Sequence, residues 1–334
     1  MRIVISIDEQ GSLFPDDAPA PARAAPSLLF SRDAIATVAA QLPPSLYLGT
    51  STWTYPGWTG LVYERPYPKT GATVRMLEEY ARYPLFRTVG IDSFFYRPPT
   101  PELLQQYASV LPPDFPCVMK VWDRVTSHSL RSPRNPQQSD GPNPDWLNPK
   151  LFEREVLEPT LRHFGDHAGP FVFEIEAVPD AARMSTAAFA HYIDIFFSQL
   201  PRGPMYAVEI RNAEFLEPVY FDTLRKHNVA HLFNSWTRMP AIGVQLVLDS
   251  FTADFVVSRA LLKPGRKYAE AVDRFAPYTH IMEEAPEVRA DLAALVRKGM
   301  TYQKAIFIIA NNRLEGSSPL TLLGLAYLLI DGKT

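Results

Sequence analysis

From Leu46 onward, eight short apolar runs alternate with helical segments. The runs are Leu46–Thr50, Thr88–Ser93, Cys117–Trp122, Pro170–Ile175, Met205–Ile210, Ala230–Phe233, Phe255–Ala260 and Ala305–Ala310. Between them, apolar residues recur at helical spacing. Met76, Leu77 and Tyr80 do so in the first interval, and Phe189, Tyr192, Ile193 and Phe196 do so within 185–199. Further helices are expected over 101–110, 149–164, 217–227, 266–276, 284–298 and 318–330. Thr100 stands where an N-cap belongs and Pro101 at the first helical position. Eightfold strand–helix alternation fits a single TIM-like (β/α)8 barrel. A doubly wound open sheet would fit most of the pattern. However, the chain has neither a strand–GxGxxG–helix fingerprint nor a Walker-type loop.

Two stretches fall outside this alternation. Residues 8–27 are rich in Ala, Pro and Asp, and Ser31 can cap a short helix carrying Ile35 and Val38. Residues 1–45 are therefore expected to form an N-terminal arm with a short helix, and 46–330 the barrel domain. Residues 123–149, rich in Ser, Arg, Asn, Pro, Gln, Asp and Gly, read as an irregular surface insertion.

Composition narrows the function classes. There are 33 basic and 36 acidic residues, a net charge of −3, so nucleic acid is not indicated as a partner. No segment is apolar and long enough for a membrane span, and the N-terminal apolar patch is too short for a signal-peptide core. The expected location is cytoplasmic. Cys117 has no second cysteine to pair with and lies in an apolar run, which suits a buried structural thiol. The seven histidines lack metal-ligand spacing, and there is no Gly-x-Ser-x-Gly elbow.

In such a barrel the chemistry sits at the C-terminal ends of the strands. The residues there are Ser51, Trp53 and Tyr55; Asp92, Ser93 and Tyr96; Lys120 and Trp122; Glu174 and Glu176; Glu209 and Arg211; Asn234 and Trp236; Arg259; and Asn311, Asn312 and Arg313. Glu174 and Glu209 are the sharpest pair. Two carboxylates suit glycoside hydrolysis, or a divalent metal with Asp92, or plain ion pairing with Lys120, Arg211 and Arg259. Trp53, Tyr55, Trp58, Phe94, Phe95 and Tyr96 offer either a stacking wall or a core cap.

Five motifs also recur in order. Gly49-Thr50-Ser51-Thr52-Trp53-Thr54-Tyr55-Pro56-Gly57-Trp58 opens the series, and Asp92-Ser93-Phe94-Phe95-Tyr96-Arg97-Pro98-Pro99 follows. Val118-Met119-Lys120 with Thr126 and His128, then Ala207-Val208-Glu209-Ile210-Arg211, then Ile309-Ala310-Asn311-Asn312 complete it. Together they resemble the YecE-like family, a domain of unknown function numbered seventy-two, over residues 46 to 330. The resemblance implies a TIM-like fold and no established reaction. It supports Asp92, Lys120, Glu209, Arg211, Arg259 and Asn311 as rim residues. The chain departs from the family pattern at Asp92, where Glu is usual. It departs again at Phe173-Glu174-Ile175-Glu176, where a Phe-Gln-Leu-Pro strand is usual, and after Arg259, where a His-Gly pair is replaced by Ala-Leu-Leu-Lys-Pro-Gly-Arg.

The resulting expectation is a barrel enzyme of unknown reaction acting on a small polar or anionic molecule, sugar- or phosphate-containing, with hydrolysis as its most concrete form. Glu209, Asp92 and Lys120 are the catalytic candidates. Arg211 and Arg259, with Lys120, would clamp an anion; Asn311, Tyr96, Trp53, Tyr55 and Glu174 complete the ligand contacts. Glu209→Gln is then expected to abolish turnover and leave the thermal midpoint largely unchanged. A non-catalytic binder using loops 53–63 and 123–149 is the alternative, and a metal-dependent hydrolase a further one. No cofactor is identified beyond that divalent-metal alternative, and oligomeric state is not readable from the sequence.

Overall fold

The computed structural model describes residues 31–131, 139–177 and 184–332. Residues 1–30 of the arm expected over 1–45, and 132–138 at the centre of the insertion, lie outside the described residues. Eight strands form one parallel sheet: β1 (Leu46–Thr50), β2 (Val89–Ile91), β3 (Cys117–Lys120), β4 (Ala168–Ile175), β5 (Tyr206–Ile210), β6 (Ala230–Ser235), β7 (Phe255–Ala260) and β8 (Ala305–Ala310). The hydrogen-bonded order is β1-β8-β7-β6-β5-β4-β3-β2, so the sheet runs once around and its end strands come back together. This is the TIM-like architecture expected from the alternation. β7 and β8 fall on the expected residues. β2 and β3 are shorter than expected, because the chain coils into a 3-10 turn at Asp92–Phe95 and a short helix at Asp123–Thr126.

The seam between β1 and β2 explains two glycines. The N–H of Arg87 donates to Leu48 O at 3.0 Å. A Cβ on Gly49 would lie 2.1 Å from Thr88 O, and one on Gly90 3.0 Å from Ser51 Cα. Any larger residue at Gly49 would push the two strands apart. Nearby, Tyr80 from the helix Thr73–Ala81 accepts from the Thr50 N–H at 2.8 Å.

Two apolar layers follow from the alternation of side chains along each strand. The inward set (Val118, Val172, Ala207, Leu232, Val257, Phe307 and Ile309) forms a cluster inside the barrel. The outward set packs against the helices in a larger cluster that includes Leu48, Val89, Met119, Phe173, Val208 and Ile308. The strands are thus buried on both faces, as parallel strands require. Cys117 is buried, and burial raises its pKa, in line with an inert thiol.

The outer helices are capped much as expected. Ser31, Thr100 and Ser185 each accept from the N–H three residues on. The insertion is more ordered than its composition suggested. It holds the helix Asp123–Thr126 and a hairpin pairing Ser129–Arg131 with Ser139–Pro142. A further helix, Ile242–Val247, occupies a stretch for which no element was expected. Among the described residues, no helix is long and apolar enough to cross a membrane.

Candidate functional site at the barrel mouth

Two residues beyond each inward apolar position, the same alternation points a polar residue into the mouth. Val118 is followed by Lys120, Val172 by Glu174, Ala207 by Glu209, Leu232 by Asn234, Val257 by Arg259 and Ile309 by Asn311. One further step on β5 adds Arg211. Five of these residues (Lys120, Glu174, Glu209, Arg211 and Arg259) join Asp92, at the end of β2, in a single ion cluster drawn from five strand ends.

Arg259 is its centre. Its Nη2 holds both oxygens of Asp92, at 2.9 and 2.7 Å. Its Nη1 holds Glu209 at 2.5 Å and Glu174 at 3.0 Å. Arg211 Nη2 bonds Glu174 at 2.8 Å and sits 2.7 Å from Glu209. Lys120 Nζ lies 3.0 Å from Glu174 and 3.7 Å from the centre of the Phe95 ring. Three carboxylates thus face three cations, and the cluster carries no net charge. Glu209 is fully buried, Arg259 and Arg211 nearly so, and Asp92 is the most exposed member, with 32% of its side chain accessible.

Burial alone would raise the pKa of Glu174. The charges of Arg211, Lys120 and Arg259, with the Arg211 hydrogen bond, outweigh it and hold the carboxyl well below the usual range. Burial would lower the pKa of Arg259, but Asp92, Glu209 and Glu174 raise it instead. Glu174 and Arg259 are therefore fixed charges rather than proton carriers.

This geometry sorts the expectations. Of the alternatives for Glu174 and Glu209, ion pairing with Lys120, Arg211 and Arg259 is the arrangement present. The same two guanidinium groups touch both carboxylates, which leaves no gap for a glycosidic bond between them. Divalent-metal binding would require Asp92, Glu174 and Glu209 to exchange guanidinium partners for an ion. Arg259 has both terminal nitrogens committed, so its fork is not available to clamp an anion. A Glu209→Gln change would leave two buried guanidinium groups short of one charge, so an unchanged thermal midpoint is no longer the expectation.

Asn311 borders the cluster, donating from Nδ2 to Ser51 Oγ at 2.7 Å. Tyr55 packs 5.2 Å from the Trp58 ring and 5.5 Å from the Tyr278 ring. Tyr96 is exposed beside Phe95. Trp53 is placed elsewhere: it is buried in the helical layer, donates to Thr73 O at 2.9 Å and meets Tyr107 edge-on. Thr126 is buried at the end of its short helix, and His128 packs edge-on against Trp146.

Trp236 is one of the expected strand-end residues, whereas Gln245 and Tyr220 were not singled out from the sequence. Trp236 lies under the Arg211 guanidinium, with the Arg211 Cζ 4.2 Å from its ring centre, and packs with Leu261, Phe275 and Tyr278. Gln245, fully buried, donates to Asn234 O at 2.8 Å and to Pro240 O at 2.7 Å. Its Oε1 lies 3.3 Å from His231 Nε2, and Tyr220 Oη lies 3.2 Å from His231 Nδ1. Burial lowers His231 to about 4, so the chain Tyr220–His231–Gln245–Asn234 is uncharged near neutral pH and steadies the end of β6. Nothing about a lone glutamine in Ile-Gly-Val-Gln-Leu-Val signals such a part.

Among the inward-facing residues, three side-chain atoms are buried without a hydrogen bond: Arg211 Nη1, Asn234 Oδ1 and Glu209 Oε1. Glu209 Oε1 is still ion-paired, 2.7 Å from Arg211 Nη2, whereas the other two have no partner. Such atoms are uncommon in native proteins and costly unless something satisfies them. By contrast, a surface depression of about 380 Å3 is lined by Pro113, Asp114, His163 and His167, on the segments leading into β3 and β4. That is the opposite end of the barrel. Its imidazoles are already engaged, His163 with Gln105 and His167 with Phe115 O.

A family model described as "Protein of unknown function DUF72" matches residues 47–333. The fold is similar to that of a DUF72 family protein from Thermotoga maritima MSB8, with a TM-score of 0.60 at 18% identity, covering 85% of this chain and 99% of that one. It is also similar to a DUF72 family protein from Enterococcus faecalis V583, with a TM-score of 0.59 at 17% identity, covering 85% and 95%. No curated protein sequence matches the chain.

Proposed function

The chain belongs to the DUF72 family, and with that as premise we propose that it is a barrel enzyme that binds a small polar ligand at the C-terminal mouth and acts on it there. The observation that carries this reading is the pair of buried, unpartnered atoms, Arg211 Nη1 and Asn234 Oδ1, beside a preorganised ion cluster. Fixed dipoles and charges in a dry site are what stabilise a reaction's developing charge. In this reading Glu174, Glu209 and Arg259 form the frame. Asp92, the most accessible carboxylate, and Lys120 are the groups that meet the reacting atoms, and Arg211 and Asn234 recognise the ligand. The single buried cysteine and the absence of a spanning helix among the described residues fit a cytoplasmic setting, which is part of the proposal.

The complete pairing of charges equally suits a non-catalytic binding barrel. One experiment addresses both. Chelator-treated protein is screened by thermal shift against divalent metals, phosphate, sugar phosphates, simple sugars and uncharged amides. A ligand that binds only the native state raises the midpoint by mass action. The expected result is a shift with one organic class that disappears in Arg211→Lys. A shift with metal alone, or with none of the classes, overturns the reading. Once a ligand is known, Asp92→Asn distinguishes enzyme from binder: an enzyme loses turnover with little loss of affinity, and a binder loses affinity alone.

A further inference from the structure

Arg211 and Asn234 face the mouth from neighbouring strands. The β5–β6 ladder pairs Ala207 with Ala230 and Val208 with His231. Continuing that register sets Arg211 opposite Asn234. Both side chains are at least nine-tenths buried. One offers an unused donor, Arg211 Nη1, and the other an unused acceptor, Asn234 Oδ1.

Neither group can easily reverse its role. Asn234 Nδ2 donates to Ile210 O at 3.1 Å, and a carbonyl only accepts, so the amide oxygen must be the free atom. The Arg211 guanidinium is held at Nη2 by Glu174 and Glu209, and its face lies on Trp236. Its plane and its free edge are therefore set before any ligand arrives.

The charge surroundings add a second constraint. The positive charge of Arg211 is already balanced by two carboxylates. An incoming carboxylate or phosphate would compete with them at Nη2. It would also bring a second acceptor oxygen against the lone pairs of Asn234 Oδ1. An uncharged ligand with one acceptor beside one donor avoids both costs. That is the edge of a primary amide or a lactam.

Resting on the reading of the mouth as the ligand site, we propose that Arg211 Nη1 and Asn234 Oδ1 form a subsite for an uncharged amide or lactam edge. Arg211 donates to the ligand carbonyl, and Asn234 accepts from the ligand N–H. The class of substrate is thereby a small amide-bearing molecule rather than a sugar phosphate or a free acid.

The test uses the full chain and four small probes: 2-pyrrolidinone, acetate and glycerol, observed by saturation-transfer NMR, and inorganic phosphate, observed by line broadening of its phosphorus resonance. The expected result is binding of 2-pyrrolidinone alone. Its affinity should fall about tenfold in Arg211→Lys and in Asn234→Ala, the scale of one lost hydrogen bond in a buried site. Circular dichroism of each variant checks that it is folded. The comparison among probes on the unaltered protein decides the matter even if a variant does not fold. Preferential binding of acetate, phosphate or glycerol overturns the amide assignment and leaves the mouth as a ligand site. Binding of none of the four overturns both.

Discussion

Glu209→Gln removes one unit of negative charge from a cluster that is otherwise neutral. Glu209 is fully buried, 2.5 Å from Arg259 Nη1 and 2.7 Å from Arg211 Nη2. Glutamine is nearly isosteric, so the change leaves no cavity. It can accept from one guanidinium through its oxygen, but its NH2 then faces the other, donor against donor. Breaking one side of a buried pair costs roughly 3–5 kcal/mol. Arg259 keeps Asp92 and Glu174, and Arg211 keeps Glu174, which favours the lower end, about 3 kcal/mol. That corresponds to a midpoint lowered by about 5 °C for a domain of this size. Urea unfolding at pH 7, with the slope of both proteins compared, measures it directly. The exposed Glu78–Arg82 pair is the control, and Glu78→Gln should change stability by less than about 0.5 kcal/mol. If Glu209→Gln costs less than about 1 kcal/mol, Glu209 is not an ionised carboxylate locked between two cations, and the account of the cluster fails.

Two further outcomes follow from the fold. Gly49→Ala places a Cβ 2.1 Å from Thr88 O, a backbone atom that cannot turn aside, so the loss should exceed the ~1–3 kcal/mol of ordinary overpacking. Gly60→Ala, in open space at φ +86°, should cost only about 1 kcal/mol; equal thermal midpoints for the two variants would contradict the seam. His231 resists protonation in the native state, with its pKa lowered to about 4 from an unfolded value of about 6.5. The unfolded chain therefore binds the extra proton as pH falls below about 6.5, and stability drops progressively until about pH 4, by up to roughly 3 kcal/mol. Urea midpoints between pH 4 and 7 should slope less steeply in His231→Gln than in the parent, and identical slopes would show that His231 titrates freely.

The barrel was legible because parallel strands buried on both faces read as continuous apolar runs, as Phe255–Ala260 and Ala305–Ala310 do to the residue. The charged rim was legible for the same reason: alternation carries Val257 to Arg259 and Ala207 to Glu209 on the inner face. Alternation stops where the strand stops. Trp53 lies past the end of β1, where the chain turns, and its side chain goes to the helical layer instead of the mouth. The helix Ile242–Val247 was missed because six residues rich in β-branched side chains, with one glycine and no charge, lack helical spacing over a useful length. The free edge of Arg211 could not be read at all. It depends on which of its nitrogens the two glutamates occupy, a matter of packing rather than pattern.

Arg259 reaches carboxylates that lie 50, 85 and 167 residues away along the chain. The contacts with Glu174 and Asp92 cannot exist until strands from both halves of the barrel have been brought to the same mouth, and the contact with Glu209 spans three strands of the second half. The cluster is thus a product of closure and not a guide to it, and forms after the main entropic cost of ring formation has been met. Interactions that appear only on the native side of the folding barrier act on the unfolding rate. The six rim charges therefore act as a latch: weakening them should let the closed barrel open sooner without slowing the speed at which it first forms.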